Sequence, residues 1–432
     1  MEFRVLEMAS RVLGEGVICD HCMGRLFARL STELSNDVRG AALKIVLSME
    51  GDRLRRDSEG AWLLEELSAS SPHARTLLGL DRDEEGKCWV CGGLFETVEM
   101  WVERALEALS SVEFDSFLIG TRVTGLLSEN EEILWAESGT RFAEPIKSEL
   151  NREVGKRVEA LTGKRVDHDH PDVLVLLDLG EDAVKLEIRP LFLYGRYRKL
   201  VRGIPQTRWP CKECGGEGCE ECGFTGKVYP ESVDELIAAP LLDAFGAEAA
   251  VFHGGGREDV DALMLGSGRP FVMEVKNAKR RSVDLSSLEE RINESARGKV
   301  EVLGLKYTDG GEVERIKGVR ADKVYRLSVS FDDKISEERL KSSLGLITGE
   351  IDQQTPSRVL HRRADHVRRR KVYSIEVESF NSDQAVLLVR CEGGLYVKEL
   401  VSGDGGRTNP SLSKALGTGA EVVEVDVIDV KL

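Results

Sequence analysis

Apolar positions recur with helical spacing in the first part of the chain and with strand-like spacing in most of the rest. Apolar residues that return every three or four positions predict amphipathic helices over 101–112 and 143–163. Continuous or alternating apolar runs predict strands over 114–123, 171–179 and 183–193. The first part of the chain is therefore expected to combine helices with a few strands.

From about residue 249 onward, strand-like runs dominate the chain. A helix over 232–247, with Ser232 as its candidate N-cap, precedes them, and helices near 284–297 and 334–344 interrupt them. The strand-like runs lie at 249–255, 261–267, 271–277, 299–308, 323–331, 371–379, 384–393 and 421–432. This order predicts an α+β fold with a large antiparallel or mixed sheet in the second part of the chain.

The 432-residue chain has a formal net charge of −16. That charge argues against a protein coated evenly with positive charge for binding nucleic acid. The length predicts about two to four domains. No apolar run reaches the roughly 18 residues that span a bilayer, and the first residues carry acids without an apolar signal region. We therefore predict a cytoplasmic protein with no membrane partner.

The charge is unevenly distributed, because residues 1–150 carry −12 of the total of −16. Two later runs are strongly basic: 189–208 has six Arg or Lys and no acid, and 358–371 has seven and one Asp. Either run could bind along a phosphate backbone. For each run taken alone, a charged surface that only contacts solvent is an equally good interpretation. Aromatic residues interleave with the arginines of 189–208, and such planes stack on unpaired bases, so this run favours RNA.

Eight of the nine cysteines form four Cys-x-x-Cys pairs. The pairs are Cys19/Cys22, Cys88/Cys91, Cys211/Cys214 and Cys219/Cys222. Two thiolates at this spacing reach one tetrahedral zinc ion, and without an export signal such pairs favour metal over disulfides. We predict a structural zinc ion on the last two pairs, and a second one shared by the first two pairs. Reduced or redox-active dithiols are the alternative, and four thiolates on one ion leave no position open for catalysis.

The segment 253–261, with the sequence HGGGREDVD, is the sharpest local feature of the chain. Its glycines permit a tight loop between two predicted strands, and loops held by a sheet commonly carry catalytic groups. The acids beside Arg257 suit metal binding, acid–base chemistry or a nucleophile. A glycine-rich turn with solvated charges is the alternative that these residues alone leave open.

Three segments, in order along the chain, resemble motifs of pseudouridine synthases. GREDVDA is similar to the GRxD loop of that family, whose essential aspartate stands at the place of Asp259. KVYRLSV resembles the strand whose aromatic ring, here Tyr325, stacks on the target base. CEGGLYVKEL resembles the segment whose basic residue, here Lys398, pairs with the catalytic carboxylate and whose leucine, here Leu400, forms the pocket floor.

Longer segments resemble the archaeal-type tRNA pseudouridine synthases that modify the TΨC arm. They are YGRYRKLVRGIPQTRWPC, GREDVDALMLGSGRPFVMEV, QQTPSRVLHRRADHVRRRKVY and GLYVKELVSGDGGRTNPSL. The resemblance implies isomerisation of uridine 55, and often uridine 54, without a catalytic cofactor. It implies Asp259 as nucleophile or general base at the ribose, and for Tyr325 a role in proton transfer besides stacking. It also implies tRNA as partner and a monomer without an obligatory protein partner.

The resemblance covers nearly the whole chain and implies an α+β catalytic domain with a pseudouridine-synthase-type sheet, plus an amino-terminal zinc accessory domain containing a THUMP region. The implied regions are a zinc module at 1–100, a THUMP-like RNA-binding region at 101–200, a second four-cysteine knuckle at 201–230 and the catalytic domain at 231–432. Basic residues near the loop and in the two basic runs are the predicted tRNA contacts. They are Arg257, Arg196, Arg198, Lys199, Arg202, Arg362, Arg363, Arg368, Arg369 and Arg370.

Two other hypotheses remain open at this point. A non-catalytic, zinc-stabilised tRNA-binding protein would bind tRNA without any chemistry. A metal-dependent nuclease would use four carboxylates with Lys276, since their spacing echoes a D…ExK motif. These carboxylates are Glu258, Asp259, Asp261 and Glu274.

Overall fold

A computed structural model describes residues 5–80, 86–139, 141–318, 321–361 and 363–431. The chain folds as two compact units, residues 1–189 and 190–432. Within the described ranges, no helix has both the length and the apolar character needed to cross a membrane.

The first unit combines helices with a four-stranded sheet. Its helices are α1 (Val5–Arg11), α2 (Asp20–Arg25), α3 (Asn36–Arg56), α4 (Trp62–Ser68), α5 (Pro72–Leu78), α6 (Val98–Leu109), α7 (Gly125–Ser138) and α8 (Ile146–Thr162). Its strands are β1 (Ser116–Arg122), β2 (Arg165–Val166), β3 (Val173–Asp178) and β4 (Ala183–Ile188). The order is β2–β1–β3–β4, with β1 parallel to β2 and β3, and β4 antiparallel to β3.

Apolar side chains from α6, α8 and the sheet share one core in this unit. Trp101 of α6, Val154 of α8, and Val173 and Val175 of β3 are all buried in it. The helices predicted over 101–112 and 143–163 are therefore confirmed. The strands predicted over 114–123 and 171–179 are confirmed as β1 and β3.

The predicted strand over 183–193 is wrong as a single element. Strand β4 ends at Ile188, and a new strand, β5 (Leu191–Lys199), begins in the second unit. Pro190 lies between them; it lacks an N–H donor and fixes its own φ, so it interrupts a continuous ladder. Because apolar residues continue on both sides of the proline, the hydrophobic pattern gave no sign that one strand ends and another begins there.

The second unit is built on a ten-stranded sheet. Its further strands are β6 (Ala249–Gly254), β7 (Leu263–Lys276), β8 (Val300–Thr308), β9 (Asp322–Phe331), β10 (Gly349–Gln354), β11 (Val367–Asn381), β12 (Gln384–Cys391), β13 (Thr408–Asn409) and β14 (Ala420–Lys431). Its helices are α9 (Val233–Phe245), α10 (Leu285–Ser295), α11 (Gly310–Gly318), α12 (Glu337–Leu346), α13 (Val397–Ser402) and α14 (Leu412–Leu416).

The strand order is β13–β10–β11–β12–β9–β14–β7–β5–β8, with β6 paired to β7. Among the described strands of this sheet, β7 and β14 pair in parallel and every other pair is antiparallel. The α+β fold with a mixed, mainly antiparallel sheet is thereby confirmed.

The runs predicted as two strands over 261–267 and 271–277 form the single strand β7. Gly266 and Gly268 have φ of +58° and +73°, and a Cβ on Gly266 would lie 1.7 Å from the Ile428 carbonyl oxygen. Only glycine tolerates that backbone and that approach, so these residues bend a continuous strand where the sequence suggested a turn.

The pairing of β7, β14 and β9 brings residues from distant parts of the chain side by side in the sheet. Val427 of β14 pairs with Met264 near the start of β7 and with Tyr325 of β9. The loop that precedes β7, residues 255–262, therefore lies close to Tyr325.

Candidate active site

The loop 255–262, between β6 and β7, lines a cavity of about 440 Å³. Residues from the loop, from β9 and β14, from the start of α13 and the segment before it, and from the segment around residue 358 form its wall together with Trp209. They are Trp209, Arg257, Glu258, Asp259, Val260, Ala262, Lys323, Tyr325, Arg358, Val359, Arg363, Gly394, Leu395, Tyr396, Val397, Lys398, Val425 and Val427. The GRED loop, the KVY strand and the GLYVK segment thus meet at one cavity.

Buried polar side chains hold the loop by its carbonyl oxygens. Arg269 donates to Gly255 O at 3.0 Å, and Gln206 donates to Gly256 O at 3.0 Å. Lys199 donates to Asp259 O and Val260 O, each at 3.1 Å. With its backbone fixed in this way, the loop presents the Asp259 side chain to the cavity.

Glu258 lines the cavity, but its carboxylate is held in a buried ion pair. Arg269 donates through Nε to Glu258 at 2.7 Å, and both side chains are almost fully buried. The Tyr197 hydroxyl donates to the same carboxylate at 2.8 Å, and burial together with the charge of Glu258 raises the pKa of Tyr197 well above its usual value. Glu258 thus has a role in packing the loop, next to the exposed acid.

The Asp259 carboxylate is 44% exposed and has cations on two sides. Lys398 Nζ lies 3.8 Å from Asp259 Oδ2, and Arg358 Nη1 lies 3.5 Å from the same oxygen. Lys398 lies closer to Asp261 Oδ2, at 2.9 Å. Burial disfavours the ionised form of Asp261, but the hydrogen bond and the charge of Lys398 outweigh it and lower the Asp261 pKa. Lys398, expected to pair with the Asp259 carboxylate, is therefore shared between two acids.

Arg358 was not among the residues selected from the sequence. It follows Pro356 in a short 3-10 turn, and its Nε donates to Glu399 at 2.7 Å. Glu399 is 5% exposed and stands on α13 next to Lys398. Arg358 opens the basic run 358–371, so the sequence did contain a signal for it, although nothing in the sequence linked it to Asp259.

Tyr325 and Leu400 have different positions relative to the cavity. Tyr325 is buried in the wall, and burial raises its pKa above the usual range. Leu400 is 1% exposed and packs in the core, whereas Leu395 and Val397 of the same segment line the cavity. The apolar part of the wall that was expected from Leu400 thus comes from its neighbours.

Most basic residues selected from the run 189–208 are bound to the protein itself. Lys199 is fully buried on three carbonyl oxygens, so it cannot reach a phosphate group. Arg196 donates to Gly268 O and Val430 O, and Arg198 donates to Gly266 O and pairs with Glu301. Arg202 donates to Asp261 O and pairs with Asp426 at 2.7 Å. These side chains connect strands and loop; Arg257, in contrast, lies over the Trp209 ring at 5.1 Å on the cavity wall.

The second basic run lies partly at the cavity and partly along β11. Arg363 lines the cavity and donates to the Tyr396 hydroxyl at 3.0 Å. Arg368 donates to Thr355 Oγ1, and Arg369 pairs with Asp352 at 2.9 Å on the exposed side of β11. Arg370 donates to the carbonyl oxygen of Arg369. Arg362 lies outside the described residues.

Both predicted cysteine sets are brought together. The sets are Cys19, Cys22, Cys88 and Cys91, and Cys211, Cys214, Cys219 and Cys222; within each, the Sγ atoms lie within 4.8 Å of one another. Four thiolates at about 2.3 Å from one zinc ion stand about 3.8 Å apart. Observed distances fit that value: Cys19–Cys91 is 3.7 Å, Cys211–Cys219 is 3.9 Å and Cys214–Cys222 is 4.0 Å.

The carboxylates of the nuclease hypothesis do not converge. Among the described residues, the two cysteine sets are the only groups of three or more side chains placed to share a metal ion. Glu258 is buried against Arg269, and Glu274 lies 3.1 Å from His253 Nε2. The geometry therefore does not support a carboxylate-held metal at this loop.

Family models match most of the chain. The model described as Pus10, C-terminal, matches residues 192–431, and the model of the archaeal Pus10 THUMP domain matches residues 101–178. Proteins named tRNA pseudouridine synthase Pus10 are similar along nearly the whole length. The protein of Methanothrix thermoacetophila is 50% identical over 99% of this chain and 94% of its own. The protein of Halorubrum lacusprofundi is 44% identical over 99% of this chain and 96% of its own.

Among solved structures, a Cbf5-Nop10-Gar1 complex is similar to 46% of this chain and 45% of that chain. Its identity is 19% and its TM-score is 0.30, so the family assignment rests on the sequence matches.

Proposed function

Because the chain belongs to the Pus10 family of tRNA pseudouridine synthases, we propose that it converts uridine in tRNA to pseudouridine. The proposed targets are uridine 55 and uridine 54 in the TΨC arm. The single observation that carries the proposal is the meeting of Asp259, its cations and Tyr325 at one cavity. The reaction breaks the N1–C1′ bond, turns the base and forms a C5–C1′ bond, without a change of oxidation state.

Asp259 is proposed to act at the ribose, as nucleophile or general base. Two cations, Lys398 at 3.8 Å and Arg358 at 3.5 Å, place positive charge beside its carboxylate, where negative charge is needed for either role. The clamped loop supports this role too, since a fixed backbone holds the carboxylate ready without reorganisation during the reaction.

Tyr325 is proposed to stack on the uracil, with Leu395 and Val397 supplying apolar surface beside it. The target base must leave its loop stack to enter such a cavity, which costs on the order of a few kcal/mol. Arg363 and Arg257 at the cavity wall are suited to hold the flanking phosphates and bases during that step.

The experiment compares unmodified tRNA transcript incubated with the wild type, with Asp259→Asn and with Asp243→Asn, in EDTA, followed by nucleoside analysis. Asp243 is a matched control, because it is an exposed acid on α9 that pairs with Arg291. We expect pseudouridine from the wild type and from the control, and none from Asp259→Asn. Transcripts with cytidine at position 54 or 55 then identify which position is modified.

The competing functions give different results in the same experiment. A binding protein would retain tRNA without forming pseudouridine, and a nuclease would cleave the transcript when a divalent metal replaces EDTA. Intact RNA without pseudouridine in the wild-type reaction would contradict the proposal.

Each cysteine set is proposed to hold one structural zinc ion. In the first set Arg25 donates to Cys22 Sγ at 3.3 Å, which suits a negatively charged thiolate cluster. We expect two zinc ions per chain by elemental analysis, and one after either Cys88→Ser with Cys91→Ser or Cys214→Ser with Cys222→Ser. Free thiols or disulfides without zinc in the wild type would instead support the dithiol alternative.

We propose the domain organisation that the sequence predicted. The predicted regions are the zinc module at 1–100, the THUMP-like RNA-binding region at 101–200, the second knuckle at 201–230 and the catalytic domain at 231–432. Because β5, residues 191–199, pairs with β7 and β8, we propose that this strand belongs to the catalytic domain. The match of the THUMP model to 101–178 supports the second of these regions. The protein is proposed to act on tRNA as a monomer.

A further inference from the structure

Lys323 lies in the cavity wall but has no part in the functions assigned so far. It precedes Tyr325 by two positions on β9, so both side chains point to the same face of the sheet. A Cβ on Gly256 would stand 3.8 Å from Lys323 Nζ, so the amine lies directly beside the loop that carries Asp259.

The surroundings of Lys323 disfavour its charged form. Burial is the largest cause and the nearby Arg269 guanidinium adds to it, so the pKa of Lys323 falls to about 8, although Cys391 and Glu258 act in the opposite direction. Among the described residues, no hydrogen bond or ion pair engages its amine, whereas the Lys398 amine binds Asp261. Lys323 therefore presents an unpaired amine at the cavity, and this amine becomes neutral at a lower pH than an ordinary lysine.

The reaction needs a base at a place that Asp259 does not serve. Once C5 is joined to C1′, C5 still carries its hydrogen, and this proton must leave to restore the aromatic uracil ring. Asp259 is assigned to the ribose, and Tyr325 is a poor acceptor because its raised pKa keeps it as the neutral phenol, which is a very weak base.

We propose that the Lys323 amine accepts the C5 proton. The C5–H electron pair forms the C5=C6 bond, and the electron pair of the N1=C6 bond takes a proton at N1 from water or from the new ammonium group. One proton is lost at C5 and one is gained at N1, so no oxidant, reductant or further reactant is required. This role rests on the proposed pseudouridine synthase activity.

The neutral amine exists above the lysine pKa, so the rate of the deprotonation step should rise as the pH increases through about 8. The charged or titratable groups that face the amine are Arg269 from β7, Cys391 from β12 and Glu258 from the loop. The thiol of Cys391, with its pKa raised to about 12, stays neutral throughout this range. The rising limb is therefore expected to belong to Lys323.

The test measures single-turnover pseudouridine formation on tRNA carrying either hydrogen or deuterium at uracil C5. Lys323→Met is compared with the wild type and with Lys306→Met, a control lysine on β8 outside the cavity. We expect Lys323→Met to be slower by on the order of 100-fold or more. We also expect its C5 isotope effect to exceed that of the wild type, because deprotonation becomes rate-limiting, and its rising pH limb to disappear.

A purely structural role would slow the reaction without changing the isotope effect. A slow Lys323→Met with an unchanged isotope effect would therefore overturn the assignment, as would an enlarged isotope effect in Tyr325→Phe but not in Lys323→Met. Circular dichroism and tRNA binding verify that Lys323→Met is folded. Lys323→Arg serves as a second variant: its side chain stays charged and cannot accept the proton, so the same enlarged isotope effect is expected. Absence of pseudouridine from the wild type would instead contradict the proposed function itself.

Discussion

Glu258 and Asp259 are adjacent acids with opposite surroundings. Glu258 is buried between Arg269 and the Tyr197 hydroxyl, whereas Asp259 is 44% exposed beside Lys398 and Arg358. One of these acids therefore anchors the loop, and the other faces the cavity with its charge exposed. A buried charge without its partner is strongly unfavourable, so this pair is expected to matter for stability.

Glu258→Gln is predicted to lower the free energy of unfolding by about 3–5 kcal/mol, because it leaves the Arg269 charge buried without a carboxylate. Urea denaturation of the full chain is the measurement. Glu378→Gln is the matched control, since Glu378 pairs with Arg326 on the surface and its loss should have little effect. Equal urea midpoints for both variants would contradict the prediction.

Helix α13 supplies the cavity with charge in two ways. Lys398 binds an acid of the loop directly. Glu399 acts through Arg358, because its carboxylate accepts a hydrogen bond from Arg358 Nε at 2.7 Å. Glu399 Oε2 is buried and has no hydrogen-bond partner among the described residues, so the Arg358 contact is its main one. Glu399 is thus a positioning residue for the second cation of Asp259.

Glu399→Gln is predicted to lower the rate of pseudouridine formation by up to about 100-fold with little change in KM, because Arg358 loses its fixed orientation. Single-turnover rates at saturating tRNA measure this effect. Glu399→Asp should recover part of the rate, and Glu421→Gln, an exposed acid on β14, should leave it unchanged. A loss confined to tRNA affinity would show that Glu399 acts on binding rather than on position.

The charge of the whole molecule is compatible with an RNA partner because it is segregated. Residues 1–150 carry −12 of the total of −16, and the cavity wall gathers Arg257, Arg358 and Arg363. Binding to phosphates releases counterions, so the affinity for tRNA should fall as salt rises.

Arg363→Ala is predicted to weaken tRNA binding and to reduce the slope of log affinity against log salt by about 1, as expected for the loss of one phosphate contact. Filter binding across a salt series is the measurement. Lys341→Ala is the control, since Lys341 is an exposed lysine on α12 that pairs with Glu337 away from the cavity. An unchanged slope for Arg363→Ala would indicate that this arginine contacts no phosphate.

The sequence by itself determined the α+β class, most strands and helices, both cysteine sets and the three segments that meet at the cavity. These features depend on periodicity and short spacing, which the chain carries locally. It misjudged Pro190, which ends one sheet before the next begins, and the glycines that bend β7.

Only the tertiary structure decided which charged residues face solvent and which are buried. A basic run looks the same whether its lysine binds a phosphate or, like Lys199, holds the carbonyl oxygens of a loop. Arg358, Glu399 and Lys323 join the site through strand pairing and packing across long sequence separations, and no local pattern encodes such contacts. The motifs therefore predicted which segments form the cavity, whereas the fold decided which charged groups lie beside Asp259.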